Sequence, residues 1–372
     1  MASIPARATA SKLTVIITTS LTPSAPSTQL ISSVLQSYRS HCPELLGCHV
    51  IVVFDGYDKV VPKARLKKGR VTPEQARDFA LYKDNVKKLI LEQHYRDPGG
   101  EVTLTQTEAE AEFGGTFHKG DVPYTITRTH DGRVTFIEPS WRLGFGLAVR
   151  SALRVTETPY VWVQQHDWVL TFDFPLEPLL QIMEESETKS VPVKYVCLPA
   201  VRMLSYATST YVQAFPALRT LTLSLKGEYS PDSGRLSAAK VPLTPLFFWH
   251  DKPHLASTAH YLERVFPSRL AMLRGDFIED KIGQRARAQM KEGLWAKWAT
   301  WLFYPEDGKQ VCLRHLKGRT WGGESGEAKK IELYRQLNLR DTAGERLGIS
   351  ECPSVDRACE DLGHTSRGNP GS

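Results

Sequence analysis

Long apolar runs and amphipathic spacings alternate along this chain, and together they predict an α/β protein. Residues 13–18 (LTVIIT) are an unbroken, β-branched apolar run, as a strand buried on both faces requires. After a Ser/Thr/Pro loop at 19–27, residues 28–40 set Leu30, Ile31, Val34, Leu35 and Tyr38 at helical spacing, with Ser27 or Thr28 as N-cap. Residues 49–54 (HVIVVF) form a second buried strand that stops at Asp55-Gly56. Strand, helix and strand make a βαβ crossover, which implies a parallel sheet. A charged amphipathic helix follows at 73–94. The segment 101–140 carries Thr-rich β patches at 122–129 and 133–138 and reads as an insertion or a peripheral hairpin. Residues 144–156 are helical and lead into the strand-like stretch 160–170 (YVWVQQHDWVL). Further on, 193–199 and 218–225 read as strands and the Pro-rich stretch around 242–245 as a loop. Residues 254–265 and 279–291 read as helices, and 310–313 as a strand. Residues 1–12 read as a tail, and 341–372, rich in Gly, Ser and charge, as a disordered segment.

Several strand and helix ends carry groups suited to chemistry. The run at 160–163 breaks into Gln164, Gln165, His166 and Asp167. In open α/β sheets the crevice beyond the carboxyl ends of the strands is where ligands bind. A carboxylate beside an imidazole there suits a divalent metal or a polar substrate; the alternative is a turn that Asp167 caps. Asp55 in FDGYD is placed to accept hydrogen bonds from a base or a ribose hydroxyl, or else simply makes an Asp-Gly turn. Arg150 suits a phosphate, an acidic group of the site or a surface ion pair. In GDFIEDKIGQR, Glu279 and Asp280 open a helix, where the dipole favours acids and where a carboxylate can also serve as general base. HLKGRTW places His315, Lys317 and Arg319 around a glycine, a set that suits a metal and a diphosphate or makes a basic loop.

Composition narrows the classes. The 372 residues are 41% hydrophobic and 24% charged, with net charge +6. No compact basic patch interleaved with aromatics is present, so no nucleic-acid partner is expected, and KARLKKGR at 63–70 reads as a solvated loop. Cys42, Cys48, Cys197, Cys312, Cys352 and Cys359 show no paired spacing and read as reduced thiols. No run approaches the roughly 18 apolar residues of a membrane helix, and the N-terminus lacks a secretory core; a soluble, cytoplasmic protein without an integral membrane segment is expected. GxGxxG and GxxxxGKS are both missing, which argues against a dinucleotide fold and a P-loop NTPase.

Taken in order, these features resemble the GT-A glycosyltransferases, particularly the family 2-like inverting group of nucleotide-diphospho-sugar transferases. The resemblance runs from about residue 13 to 321 and is densest in GFGLAVRSALRVTETPYVWVQQHD, residues 144–167. It implies a GT-A-like (Rossmann-like) α/β fold: a mostly parallel sheet flanked by helices in a single large domain, 13–325. Residues 13–167 would be the nucleotide-sugar half, and 168–325 the acceptor and catalytic half. On this resemblance Thr18 and Thr19 line the nucleotide pocket and Asp55 contacts the base. Arg150 and Ser151 lie near the sugar-phosphate, and Lys317 and Arg319 assist the diphosphate. Asp167 matches the last Asp of the family's Asp-x-Asp motif and would hold Mn²⁺ or Mg²⁺, with His166 and His315 as further ligands. Asp280, or its neighbour Glu279, matches the catalytic base. The chain departs at Gln165, which stands where the motif has its first Asp.

The implied activity is transfer of a sugar, with inversion, from a nucleotide-diphosphate donor to an acceptor hydroxyl on a glycan, protein or small molecule. Trp249, Trp295, Trp298 and Trp301 offer the acceptor aromatic faces, or else belong to the core. A non-catalytic nucleotide-sugar or glycan-binding protein on the same scaffold is the alternative, favoured by Gln165. A sugar-phosphate nucleotidyltransferase would need a Gly-rich, basic loop after the first strand, where this chain has TTSLTPSAPS.

Overall fold

A computed structural model describes residues 9–95, 102–114, 119–232, 234, 236–268 and 271–342. Its centre is the predicted βαβ unit. Strand β1 (Leu13–Ser20) is buried along nearly its whole length, and helix α1 (Gln29–His41) turns Leu30, Ile31, Val34, Leu35 and Tyr38 inward. Strand β2 (His49–Asp55) then returns parallel to β1. Continuous apolar runs are what a strand covered on both faces needs. Helix α2 (Pro73–His94) begins with a full capping box: Thr72 accepts from the Gln75 amide, and the Gln75 side chain accepts from the Thr72 amide.

The pairings build one 11-stranded sheet, ordered β11-β12-β14-β10-β13-β8-β1-β2-β7-β6-β5. Its members beyond β2 are β5 (Leu104–Gly114), β6 (Lys119–Thr129), β7 (Val134–Pro139), β8 (Tyr160–Gln165), β10 (Tyr195–Cys197), β11 (Gly227–Tyr229), β12 (Val241–Pro245), β13 (His254–Ser257) and β14 (Thr300–Phe303). Strands β7, β2, β1 and β8 pair in parallel at its middle, as do β10 and β14, while β13 and the outer strands run antiparallel. Helix α3 (Phe145–Arg154) leads into β8, and α4 (Leu176–Glu185) follows it. Two small pairs complete the sheets: β3 (Lys59–Val60) with β4 (Arg70–Val71), and β9 (Trp168–Leu170) with β15 (Leu313–His315). An α/β sheet flanked by helices is thus what the alternating pattern forms. No helix among the described residues is long and apolar enough to cross a membrane. Cys42, Cys48, Cys197 and Cys312 are buried free thiols; Cys352 and Cys359 lie outside the described residues.

Several segments differ from the sequence reading. Residues 218–225 lie in a helix (Pro216–Leu225), not a strand. The Leu/Thr alternation mimics period two, but Leu218 and Thr222, four apart, are the buried positions, and Leu223 is 78% exposed. The stretch at 242–245 is strand β12 rather than a loop, with the Pro242 carbonyl accepting from the Tyr304 amide at 2.8 Å. The helix expected at 254–265 starts only at Thr258, after β13, with Ser257 capping it. The strand expected at 310–313 begins at Leu313. Strands β5 and β6 do form a hairpin at the sheet edge, but β7 is no insertion, since it pairs with β2 in the body of the sheet. Trp249, Trp295, Trp298 and Trp301 are all at most 3% exposed, so they are core and not an aromatic platform. A second compact unit starts at Glu324, where a helix (Gly323–Thr342) runs to the end of the described residues. That helix includes Asp341 and Thr342; the rest of the tail expected to be disordered lies outside them.

Candidate functional site

Parallel register gathers the polar strand ends. Ser20 pairs with Asp55 and Thr18 with Gln165, so β1, β2 and β8 release Thr18–Ser20, Asp55 and Gln165–Asp167 at one edge of the sheet. A cleft of about 120 Å³ opens there. Asp55, Asp167, Lys67, Arg142 and Arg319 supply its charges, and Tyr57, Phe145 and Phe277 its aromatic surface.

His166 is held from below. Tyr82 Oη and the Thr19 hydroxyl lie 2.6 Å apart, and Thr19 donates to His166 Nδ1 at 2.8 Å. The Ser20 amide also donates to Nδ1, at 3.1 Å. An Nδ1 that accepts must be unprotonated, so the ring is neutral with its proton on Nε2. Burial pushes the His166 pKa down in the same direction. Thr18 donates to the Gln164 carbonyl at 3.4 Å. Gln164 itself is structural: its oxygen takes Tyr38 Oη and Trp162 Nε1, and its amide reaches two backbone carbonyls.

Asp167 is 8% exposed, and its Oδ2 accepts from His315 Nε2 and from the Gly318 amide, each at 2.9 Å. Burial alone raises its pKa, but the His315 hydrogen bond, the two imidazoles and the Gly318 amide together bring it down to about 2. The Leu316 amide donates to the Asp167 carbonyl at 2.7 Å, and the His315 ring stacks on Trp168 with centroids 4.5 Å apart. Gly318 lies so close that a Cβ there would come 2.7 Å from His166 Nε2 and 3.0 Å from Asp167 Oδ2.

Asp55 also lines the cleft but is engaged by the backbone. The Leu143 amide donates to Oδ1 at 2.6 Å, and the Gly144 amide lies 3.2 Å from both oxygens. Burial pushes its pKa up to about 6 despite these donors. This clamp sets the turn that starts α3, so that Gly144, Phe145 and Ala148 face the cleft. Phe145 stacks on Phe277 at 6.1 Å, and the Arg319 guanidinium sits 5.5 Å from the Phe277 ring.

The expected residues divide into those brought together and those kept apart. Thr18, Thr19, Asp55, His166, Asp167 and Arg319 all line the cleft. Lys317 is an exposed residue in the left-handed region, φ 57°, and does not line it. Arg150 and Ser151 are buried on α3 and stay outside it: Ser151 donates to the Leu147 carbonyl at 2.9 Å. Arg150 lies among Arg154, Glu112 and Tyr124, and burial brings its pKa down to about 10.

Glu279 and Asp280 also lie off the cleft wall, on a π-helical turn (Glu279–Gly283) that continues into the helix Gln284–Lys291. Glu279 donates its amide to Asp251 Oδ1 at 3.1 Å, and its Oε2 accepts from the Asp251 amide at 3.3 Å. His250 Nδ1 is 3.3 Å from Glu279 Oε1, and Lys252 Nζ is 3.8 Å from Oε2. Burial opposes ionisation, but these neighbours bring the Glu279 pKa down to about 2. His250 is half-buried, and its own pKa is pushed down by burial and by Lys252 against the opposing pull of Glu279. Asp280 beside it is exposed. The cluster meets the cleft through Gln165, whose Nε2 donates to the Asp251 carbonyl at 2.8 Å.

Sequence reasoning missed Lys67, Arg142 and Phe277. Lys67 belongs to the basic loop read as solvated; pairing of β3 with β4, and of the Asp58 amide with the Gly69 carbonyl, folds that loop over the cleft. Among the described residues no group of three or more His, Cys, Asp or Glu side chains is placed to hold a metal ion. His166, Asp167 and His315 neighbour one another, but His315 donates into the carboxylate instead of facing a common centre. Asp167 Oδ1 has no hydrogen-bond partner among the described residues. One carboxylate oxygen fits a Mg²⁺ or Mn²⁺ ion shared with substrate phosphates and water, not an ion caged by protein alone.

No family model matches the chain, and no curated protein does. Solved structures to which it is similar include a mannosyltransferase, TarS and a glucosyl-3-phosphoglycerate synthase. A mannosyltransferase from Pyrobaculum calidifontis, in complex with GDP-Man and Mn²⁺, is 12% identical with TM-score 0.38; the match covers 91% of this chain and 65% of that one. S. aureus TarS residues 1–349, in complex with UDP, is 10% identical with TM-score 0.38, over 81% of this chain and 59% of that one. Glucosyl-3-phosphoglycerate synthase from Mycobacterium tuberculosis, with Mn²⁺, UDP and glucosyl-3-phosphoglycerate, is 12% identical with TM-score 0.34, over 92% and 84%. The chain thus spans less than two thirds of the length of the first two.

Proposed function

We propose that this chain is a glycosyltransferase that binds a nucleotide-diphospho-sugar at the carboxyl edge of its parallel strands. The observation that carries this reading is the make-up of the cleft. Lys67, Arg142 and Arg319 meet there from three separate segments, beside the aromatic rings of Tyr57, Phe145 and Phe277. Cations suit a diphosphate, and rings suit a base or a sugar. A diphosphate leaving group gains charge as the glycosidic bond breaks, and fixed cations in a recessed site stabilise that charge without reorganising.

Within this reading each side chain has a task. Arg319, Arg142 and Lys67 hold the phosphates, and Thr18 and Thr19 bound the pocket at the end of β1. Asp55 orders the turn of α3 that forms one wall. Asp167 Oδ1 would hold a divalent cation together with the phosphates, and the ion would supply further charge neutralisation there. Glu279 is already ionised and engaged with His250, Lys252 and Asp251, which suits a structural acid. Asp280, exposed and adjacent, is therefore the proposed base that takes the proton from the acceptor hydroxyl, with inversion at the anomeric carbon. Donor identity is tested by thermal shift against a panel of nucleotide sugars with and without Mn²⁺. Release of nucleoside diphosphate then tests the chemistry: Asp280→Asn abolishes it if Asp280 is the base, and unchanged release removes that assignment.

A second reading, a non-catalytic nucleotide-sugar or glycan binder, is favoured by one feature. The side chain at the motif's first acidic position is Gln165, and its amide is tied to the Asp251 carbonyl. Stabilisation by a nucleotide sugar without release of diphosphate would select it.

A further inference from the structure

Asp167 is the one carboxylate at the end of β8, and the structure gives its Oδ2 a different occupation from ion binding. The segment from the last residue of β15 onward is fastened to it at three points: His315 Nε2 and the Gly318 amide on Oδ2, and the Leu316 amide on the Asp167 carbonyl. The fit is close, because a Cβ at Gly318 would collide with His166 Nε2 at 2.7 Å. His166 is itself fixed through Nδ1 by Ser20 and Thr19, so it cannot give way easily. Arg319 follows directly, its guanidinium over Phe277 and lining the cleft with Lys67 and Arg142.

We infer that Asp167 is a positioning residue, a latch that holds the 315–319 segment so that Arg319 reaches the diphosphate, and that the cleft therefore binds a nucleoside diphosphate without a divalent ion. This rests on the proposed glycosyltransferase reading and deepens it. The charge of the diphosphate is met by Arg319, Arg142 and Lys67, while Asp167 spends its Oδ2 on two N–H donors. A divalent ion, when present, adds to an anion site that the cations already form.

The test is isothermal titration of the full chain with UDP, GDP and ADP in EDTA and again in Mn²⁺, alongside amide hydrogen exchange of residues 314–321. At least one diphosphate binds in EDTA, and Arg319→Gln, an exposed substitution that leaves folding alone, weakens that binding about tenfold or more, as loss of a charge-assisted bond should. Asp167→Ala weakens it comparably and speeds exchange of the Leu316 and Gly318 amides, whereas Asp167→Asn, which keeps an acceptor oxygen, retains part of both. Three results overturn the inference. Diphosphates binding only with Mn²⁺ would leave the proposed function standing and make Asp167 an ion ligand alone. Unchanged exchange at Gly318 in Asp167→Ala would remove the latch. Binding of no diphosphate under either condition would remove the inference together with the glycosyltransferase reading.

Discussion

Gly144→Ala is the substitution from which most can be calculated. Gly144 has φ +82°, where a side chain is strained whatever the space, and a Cβ there would lie 2.4 Å from Gly275 Cα and 2.8 Å from Gly275 N and C. Those neighbours are backbone, so no rotamer change relieves the contact. With ψ 163° the Gly144 backbone lies in an extended region at positive φ that essentially only glycine adopts, which costs an L residue about 1–3 kcal/mol. Forcing atoms into a packed place adds about 1–3 kcal/mol. The sum predicts a loss of about 2–6 kcal/mol, large against a typical domain stability of about 5–15 kcal/mol. Gly132→Ala is the internal control, because Gly132 has φ +70° but nothing within 4 Å of the added Cβ. It should lose only the conformational part, about 1–2 kcal/mol. Urea unfolding of both variants, at constant m-value, reads the difference. Equal losses would refute the packing argument and, with it, the view that the 142–146 turn and the Gly275 loop are pressed together beside Asp55.

Other consequences follow from the same geometry. Trp301→Ala should cost about 3–5 kcal/mol in urea unfolding, because the ring is fully buried in β14; a loss below about 1 kcal/mol would return it to the surface as a platform. His94, His254 and His260 have pKa values pushed down by burial to about 4, 3 and 4. They stay neutral in the folded chain while the unfolded chain takes up protons near the ordinary value of about 6.5, so stability falls as pH drops from 7 towards 5. His254→Gln should flatten that fall, and an unchanged slope would contradict the assignment. Tyr82→Phe removes the hydroxyl contact to Thr19 and should cost about 1 kcal/mol. The Ser20 amide still donates to His166 Nδ1, so the tautomer protonated at Nε2 should persist in ¹⁵N NMR, and a switch of tautomer would contradict Nδ1 as the acceptor.

The parts of the fold legible in the sequence are those where one local pattern decides. Strands β1, β2 and β8 are continuous apolar runs that only a doubly covered sheet accommodates, and α2 carries its capping box in plain view at Thr72 and Gln75. Misreadings arose where tertiary contacts override local pattern. The Leu/Thr alternation of 218–225 has strand period, but only the positions four apart are covered. Pro242 sits in a strand because its carbonyl suffices for the pairing with Tyr304. The site was half legible. Acidic and imidazole groups at strand ends were visible because the parallel register turns sequence position into spatial position. Lys67, Arg142 and Phe277 were not, since loops bring them in from segments whose local composition reads as solvated surface. Arg150 looked like a site residue on its helix, yet the helix turns it towards Tyr124 and Glu112.

The central claim is that the cationic cleft carries out sugar transfer from a nucleotide diphosphate. Release of nucleoside diphosphate from a panel of nucleotide sugars, compared between the native chain and Arg319→Gln, addresses it most directly. The account predicts release from at least one donor and a fall of about tenfold or more in kcat/KM for the variant, equivalent to about 1.4 kcal/mol or more of lost transition-state stabilisation. Release that Arg319→Gln leaves untouched, or no release from any donor, would contradict it.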